Sequence, residues 1–461
     1  MTTNLLPVID KFSGDLIGEV PIADEQAVDR AVRAAHTAFE TWAGRPAHER
    51  ALVLRRAADL IDGRKEQFAS LIARESGKAW KHALGEVSRG VETFTFSSEE
   101  AKRIHGETVP VDASAAGANR VGFYFRMPLG VVSAITPFNF PLNLVAHKVG
   151  PALAAGNTIV LKPAEETPLT AVLMRDVFTE AGLPPDVLQL VHGEGPTTGE
   201  ALVRHPVPAK VSFTGSPPVG RRILEIAGLK RVTLELGNNS GTIVEPDANL
   251  ERAIPRCVVS AFANAGQVCL SLQRLYVHQE IADHFIREFV RQTEALKIGN
   301  PLEHDTDVGP LISDDAADRA ERWIRDAVSE GARVLTGGRR EGRIVWPTVL
   351  VNTRPEMAVM CQEAFAPLVS IVTYRTWDEG LRLLGDTPYG LQAGVYTNDL
   401  RKVFEAVRRL DMGGVMVNDT SIFRVDHMPY GGNRMSGIGR EGVRFAIEEM
   451  TSLRMVVVNV E

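Results

Sequence analysis

Between residues 131 and 216 the chain repeats one short pattern. The apolar runs "GVVSAIT", "NTIVLKP", "VLQLVHGEG" and "AKVSFTGS" each end in a glycine or proline turn and give way to a helix-like stretch. Their spacing of roughly 20 to 30 residues is that of β–α–β crossovers. Parallel strands need such a crossover, usually a helix, so the pattern predicts a parallel sheet covered by helices. A second series starts near Leu250, where "LQRLYVHQ", "ARVLTGG", "VSIVTY", "GLQAGVYT" and "GGVMVND" alternate with stretches such as "DDAADRAERWIRDAVSEG". The fold class is therefore α/β, with two α/β domains rather than one.

Ahead of these series, from about Asp24 to Gly106, apolar residues recur at three- and four-residue spacing with charges between, which predicts helices. Two segments stand outside the alternation, "RVGFYFRMPLG" at 120–130 and "TSLRMVVVNVE" at the end. Both read as strands, and we expect them to pair with each other and offer an edge to another subunit. The stretches "SAAGAN" and "GGRREGR" read as exposed loop tips.

The 461 residues, 44% hydrophobic and 24% charged, are enough to bury a sizeable core, and their length is about three domains' worth as a prior. A net charge of −7 with no basic run offers no footprint for nucleic acid. The most apolar segment, "GVVSAITPFNFPLNLVAHKVG", is broken by prolines, asparagines and charge before it could span a bilayer, and the N-terminus lacks the pattern of a secretory leader. We expect a cytoplasmic protein with no membrane partner. Cys257, Cys269 and Cys361 form no C-x-x-C pair, so no metal site is expected, and three thiols cannot make a fully paired disulfide framework. His105, His147, His192 and His427 show no H-x-x-x-H spacing and read as structural or exposed.

Three strand ends carry turn chemistry suited to a dinucleotide. Gly193, Gly195 and Gly199 form a G-x-G-x-x-x-G run, one residue longer than the usual fingerprint and equally compatible with a plain turn. Thr214, Gly215 and Ser216 close another strand before a helix that begins with proline. That helix N-terminus favours phosphate, although Ser216 also suits a simple N-cap. Lys162 and Glu165 leave a third strand where ligands of open α/β sheets bind, placed to hold a ribose diol or to form a solvated salt bridge.

With these residues in view, the chain resembles the aldehyde dehydrogenase superfamily over nearly its whole length. The resemblance is carried by "TPFNFPLN" (136–143), "KPAEETP" (162–168), "FTGS" (213–216), "LELG" (234–237), "GQVC" (266–269), "EAFAP" (363–367) and "PYGGNRMSGIGREG" (429–442). It implies a Rossmann-like cofactor domain (1–111 and 132–235), a catalytic α/β domain (236–444) and a small β oligomerisation element (112–131 and 445–461). It implies Cys269 as nucleophile, Glu235 as general base and Asn139 as side-chain donor to the oxyanion. It further implies Lys162 and Glu165 at the adenosine ribose, Ser216 near the pyrophosphate, Glu363 and Phe365 at the nicotinamide, and Lys148 with Glu441 as a remote pair on the proton route. Three positions depart from the family pattern. Asn238 follows "LELG" where a second glycine is usual and keeps the turn if it adopts positive φ, Ala366 stands where glycine is common, and Phe138 where tryptophan is common.

The chemistry explains these residue types. A thiolate makes the aldehyde carbon tetrahedral, the resulting oxyanion needs donors worth about 3 kcal/mol each, and the thioester left after oxidation needs a water activated by a carboxylate whose pKa is near about 7. The expectation is an NAD(P)-dependent enzyme that oxidises a small hydroxylated or anionic aldehyde and works as a homodimer or homotetramer. Glu165 repels a 2′-phosphate and so favours NAD over NADP. Arg424, in the loop before the last motif, suits the anion of a semialdehyde, or else an internal salt bridge to Asp419 or Asp426. Two alternatives are transfer of the thioester to coenzyme A, against which Glu235 argues, and a non-catalytic scaffold that keeps the fold.

Overall fold

The computed structural model describes residues 4–461. The helical stretch resolves into four helices, Glu25–Ala43, Ala47–Gly63, Lys65–Ser76 and Trp80–Ala101. In the first, Asp24 accepts a hydrogen bond from the Ala27 amide at 2.8 Å, and Val28, Ala31, Val32 and Ala35 form the i, i+3, i+4, i+7 stripe that faces inward. An antiparallel hairpin of Leu5–Ile9 and Leu16–Pro21 precedes them. The sequence reading had not foreseen it, because its strands are short and bury few side chains.

The first β–α series builds a six-stranded sheet in the order 437–438, 231–235, 210–214, 131–135, 158–162, 188–190. All neighbours are parallel except the first pair, which is antiparallel. The chain enters at Val131–Ile135, steps outward twice, then returns to the other side for Lys210–Thr214 and Arg231–Glu235. The strand order therefore reverses between 131–135 and 210–214, which opens a crevice at their C-terminal ends.

The second series forms a seven-stranded sheet, ordered 333–336, 348–351, 368–374, 274–278, 241–244, 392–396, 414–417. Only Arg333–Thr336 runs antiparallel to its neighbour. A three-stranded sheet joins Thr451–Asn459, Arg120–Pro128 and Thr108–Val109, with Thr451 opposite Pro128 and Asn459 opposite Arg120. The two segments that stood outside the alternation thus pair with each other along their full length. The return of the chain to the first sheet at Gly437–Ile438 lies inside the 236–444 span assigned from sequence to the second unit. Val443, Ile447 and Met450 likewise join the first core.

That core contains Trp42, Phe68, Phe94 and Phe178, all fully buried, with Phe94 edge-on to Phe178 at 5.0 Å. Complete burial of each such side chain stabilises the fold by about 1.5–3 kcal/mol. The helix Asn143–Ala155 runs through the same region, and every one of its residues is buried. An all-round apolar helix fits that place. Its three polar exceptions, Asn143, His147 and Lys148, need partners, and these define the site described next. Among the described residues, no helix is long and apolar enough to cross a membrane.

Candidate active site

A cavity of about 770 Å³ opens where the first sheet reverses strand order. One end is walled by Lys162, Glu165, Gly195, Gly199, Thr214, Gly215 and Ser216, the other by Asn139, Glu235, Cys269, Glu363, Phe365, Tyr430 and Glu441. Of the residues expected at the site from sequence, Gly193, Lys148 and Arg424 are not on its wall.

The first end has the features a dinucleotide requires. Lys162 Nζ lies 3.2 Å from Glu165 Oε1, and the Glu165 side chain stays one-third exposed toward the cavity. Gly195–Gly199 makes one wide helical turn, in which the Gly199 amide reaches back to the Glu194 carbonyl at 3.2 Å. The Lys162 methylenes pass Gly199 at ordinary van der Waals distance, 3.6 Å from where a Cβ would stand. Ser216 precedes the helix Pro217–Ile226 in an extended conformation, and its side chain makes no capping bond. Ser216 is thus the N-cap by position, with its carbonyl accepting from the Gly220 amide at 3.0 Å, while its hydroxyl stays free beside a positive helix end that attracts phosphate. A lysine–carboxylate pair for a diol, a glycine-rich turn and an anion-seeking helix end line the same cavity, so the residues present fit an adenosine diphosphate.

At the other end, Cys269 follows a strained turn. Asn264, Ala265 and Gly266 all take left-handed φ, at 52°, 53° and 70°. Two non-glycine residues in that region cost about 1–3 kcal/mol each, so the surroundings must enforce them. They do so through Gln267, whose side chain donates to the Asn264 carbonyl at 3.2 Å and accepts from the Ile312 amide at 3.0 Å. A Cβ on Gly266 would collide with the Ala366 carbonyl. The turn thus sets Cys269 against the cavity, with protein on its other sides. Burial pushes the thiol up to about 11, against the pull of the Tyr430 hydroxyl and the Arg424 charge.

Asn139 Nδ2 donates to the Gln267 carbonyl at 2.9 Å, which spends one amide hydrogen and leaves the other for the cavity. The Asn139 carbonyl is held by Lys78 Nζ at 2.6 Å. Lys78 in turn pairs with Glu86, and Glu86 accepts from the Leu142 and Asn143 amides at 2.9 and 3.1 Å. This buried pair anchors the segment that carries Asn139. Sequence reasoning missed it, since both residues lie in an ordinary amphipathic stretch.

Glu235 ends its strand with both carboxylate oxygens buried and unpartnered. Burial first, and the Glu441 charge second, raise its carboxyl well above the usual range. Glu441 is the opposite case. Lys148 Nζ donates to its Oε1 at 3.0 Å and Arg424 Nη2 to its Oε2 at 3.2 Å. Burial alone would raise this carboxyl, but Lys148, His147 and Arg424 together hold it low. Lys148 also donates to Thr214 Oγ1 at 2.8 Å, which ties the pair to the phosphate end.

Glu363 Oε1 accepts from the Asn238 amide at 2.9 Å, and burial pushes its carboxyl up to about 7. Gly237 has no room for a Cβ because the Glu363 carboxylate occupies that space. Phe365 takes a left-handed φ of 48° and stands edge-on to Phe138 at 5.8 Å. Asn238 follows without positive φ, and its side-chain amide donates to the Ser240 hydroxyl.

Arg424 also needs correction. Asp419 is taken by Arg256, and Asp426 by Arg89 and His147, so neither pairs with Arg424. Its partner is Glu441, its guanidinium stacks on the Tyr430 ring at 3.6 Å, and its side chain is 6% exposed. It therefore lies behind the cavity wall and not at an entrance. His147 Nε2 sits 2.8 Å from Asp426 and 3.0 Å from Arg424, and can serve only one of them at a time. Cys257 is buried, while Cys361 is half-buried and its thiol approaches the Glu356 carbonyl at 3.5 Å.

A family model described as "Aldehyde dehydrogenase family" matches residues 2–456. The chain is 47% identical over 458 residues to a 3-sulfolactaldehyde dehydrogenase of Priestia aryabhattai, covering 99% of this chain and 96% of that one. Its structure superposes with a TM-score of 0.98 on aldehyde dehydrogenase 21 from Physcomitrella patens, in complex with the reaction product succinate, at 38% identity over 100% of this chain and 96% of that one. The TM-score is 0.96, at 36% identity and full coverage of both chains, for the glyceraldehyde-3-phosphate dehydrogenase GapN of Methanocaldococcus jannaschii complexed with NADP.

Proposed function

The chain belongs to the aldehyde dehydrogenase family, and from that premise we propose that it oxidises a small aldehyde with an anionic far end to the carboxylate, using NAD. The observation that carries the reading is the convergence of Cys269, Asn139 and Glu235 at one end of a cavity whose other end suits a dinucleotide. The substrate class rests on the relatives. Sulfolactaldehyde and glyceraldehyde 3-phosphate are three-carbon 2-hydroxyaldehydes with an anionic terminus, and succinate is the product of a carboxylate-terminated aldehyde. Arg424 lends the reading no direct contact, because Glu441 occupies its guanidinium.

The roles of the residues follow from their placement. Cys269 attacks the carbonyl carbon, and the free hydrogen of the Asn139 amide meets the oxygen as it becomes an oxyanion. A nicotinamide bound in the cavity would supply the acceptor for the hydride leaving the tetrahedral carbon. Glu363 and Phe365 bound the place where its ribose and ring would lie. Glu235, whose carboxyl is raised above the usual range by burial and is so a stronger base, then activates the water that cleaves the thioester. Three free cysteines suit a reducing compartment. The exposed apolar side chains Val121, Phe125, Leu453, Met455 and Val457 on the three-stranded sheet suit a second copy of the chain.

The test is a panel of short neutral, hydroxylated, carboxylated, sulfonated and phosphorylated aldehydes with NAD or NADP, following reduced nicotinamide by absorbance. The expected result is highest kcat/KM for an anion-terminated aldehyde, and a Glu165→Gln variant that gains efficiency with NADP relative to NAD. Equal use of neutral and anionic aldehydes would overturn the substrate class. Higher efficiency of the wild type with NADP would overturn the cofactor preference.

A further inference from the structure

The Tyr430 hydroxyl has one hydrogen-bond partner, the Cys269 sulfur, at 3.0 Å. Its ring is 3% exposed and packs with Val268, Leu270 and Leu391 in a small apolar cluster, where a phenylalanine would fill the same space. A buried hydroxyl costs free energy unless it finds a partner, and the reacting atom supplies it. The tyrosine itself cannot drift. Its amide and carbonyl are bonded to the carbonyl and amide of Glu441 at 3.0 and 2.6 Å, and the Arg424 guanidinium lies over its ring at 3.6 Å, itself fixed by Glu441.

Building on the aldehyde-oxidation reading, we propose that Tyr430 is a further catalytic residue: its hydroxyl donates to the Cys269 sulfur as it ionises and so favours the thiolate that attacks from the cavity wall. A neutral thiol can donate to the phenol or accept from it, but a thiolate can only accept. Hydrogen bonds to charged acceptors are roughly twice as strong as neutral ones, so the contact favours the ionised sulfur over the thiol. The Arg424 cation, stacked on the ring, withdraws electron density from the phenol and makes its hydroxyl a better donor.

The other charged groups that act on the sulfur are Arg424, which favours the thiolate, and Glu363 and Glu235, which oppose it. Tyr430 and Arg424 are thus the groups that work against burial, the largest influence on the thiol. In the attack the new bond is Sγ to the carbonyl carbon, and the carbonyl π pair moves onto oxygen. The phenolic proton stays on Tyr430, whose hydrogen bond weakens as the sulfur loses its charge.

The test is Tyr430→Phe, which keeps the ring and its stacking on Arg424. The rate of Cys269 alkylation by iodoacetamide is followed by mass spectrometry across pH, beside kcat/KM for hydroxylated and unsubstituted aldehydes. The expected result is a midpoint of alkylation moved to higher pH, with alkylation roughly tenfold slower at neutral pH and kcat/KM reduced by a similar factor for every aldehyde. A second variant, 3-fluorotyrosine at position 430, has a more acidic phenol and should move the midpoint the other way. Midpoints unchanged in both, in a chain that still oxidises aldehydes, overturn the role of the hydroxyl and leave the oxidation standing. A loss confined to hydroxylated aldehydes at an unchanged midpoint also overturns it, since the hydroxyl would then touch substrate and not sulfur. A wild-type chain that oxidises no aldehyde overturns both readings.

Discussion

Glu235 and Glu441 face the same end of one cavity, and only Glu441 has counter-ions. Lys148 and Arg424 each hold one of its oxygens, while both oxygens of Glu235 are unpartnered. Two carboxyls with environments this different are pushed apart in acidity, one kept ionised and the other kept protonated to higher pH. The ionised one cannot readily accept a proton from its neighbour. Glu441 thus places a negative charge beside Glu235, which raises the Glu235 carboxyl.

Removal of the base should separate the two halves of the reaction. In Glu235→Gln, Cys269 and Asn139 are intact, so one equivalent of reduced nicotinamide per subunit should appear rapidly and then turnover should stall. Steady-state kcat should fall by about 10²–10⁴. Rapid-mix absorbance measures the burst, and intact-protein mass spectrometry the trapped acyl group. A uniform loss of both phases would show that Glu235 serves the oxidation step instead.

Replacement of Glu441 by Gln removes the fixed charge that raises the Glu235 carboxyl, and leaves Lys148 and Arg424 unopposed beside it. Both changes favour ionised Glu235. The acid limb of the kcat profile should therefore move to lower pH wherever thioester hydrolysis limits turnover. An acid limb that stays in place, or moves upward, would mean that some other group sets it.

Local patterns made much of this legible and long-range pairing made the rest invisible. The strand ends at Lys162, Thr214 and Glu235 are marked by turn chemistry within a few residues, so their convergence follows once the sheet is recognised. Tyr430 meets Cys269 across 161 positions of sequence, and nothing near either residue announces the contact. Arg424 was offered the nearby carboxylates Asp419 and Asp426, but those face Arg256, Arg89 and His147 from other elements. Asn238 kept its turn without positive φ because Glu363 and Ser240 satisfy its amide and side chain. The N-terminal hairpin escaped notice for a simpler reason: strands of 5 and 6 residues with few buried positions carry little periodic signal.

The pair Lys78–Glu86 makes a stability prediction that is separate from chemistry. Both side chains are buried, and Glu86 also holds two amides at the start of the helix Asn143–Ala155. Lys78→Met leaves that carboxylate buried without its cation and releases the Asn139 carbonyl. Breaking a buried pair on one side costs about 3–5 kcal/mol. Denaturant unfolding should show that loss, and the double variant Lys78→Met/Glu86→Gln should recover part of it. No recovery would place the cost in the Asn139 contact instead.

The unpartnered Glu235 predicts how stability depends on pH, with a sign that can be worked out in advance. In the unfolded chain its carboxyl ionises near its ordinary value of 4.5, whereas in the fold it stays protonated to well above that. Between those two values the folded state binds more protons than the unfolded state, so this group lowers stability as pH rises. Below the window it contributes no penalty, and above it the penalty is constant. Glu235→Gln removes the titration, so its melting temperature relative to wild type should climb with pH through the window and then level off. Thermal unfolding across pH measures the difference directly. A difference that stays flat would mean Glu235 titrates in the fold as it does in the open chain, and the poised base described here would lose its physical ground.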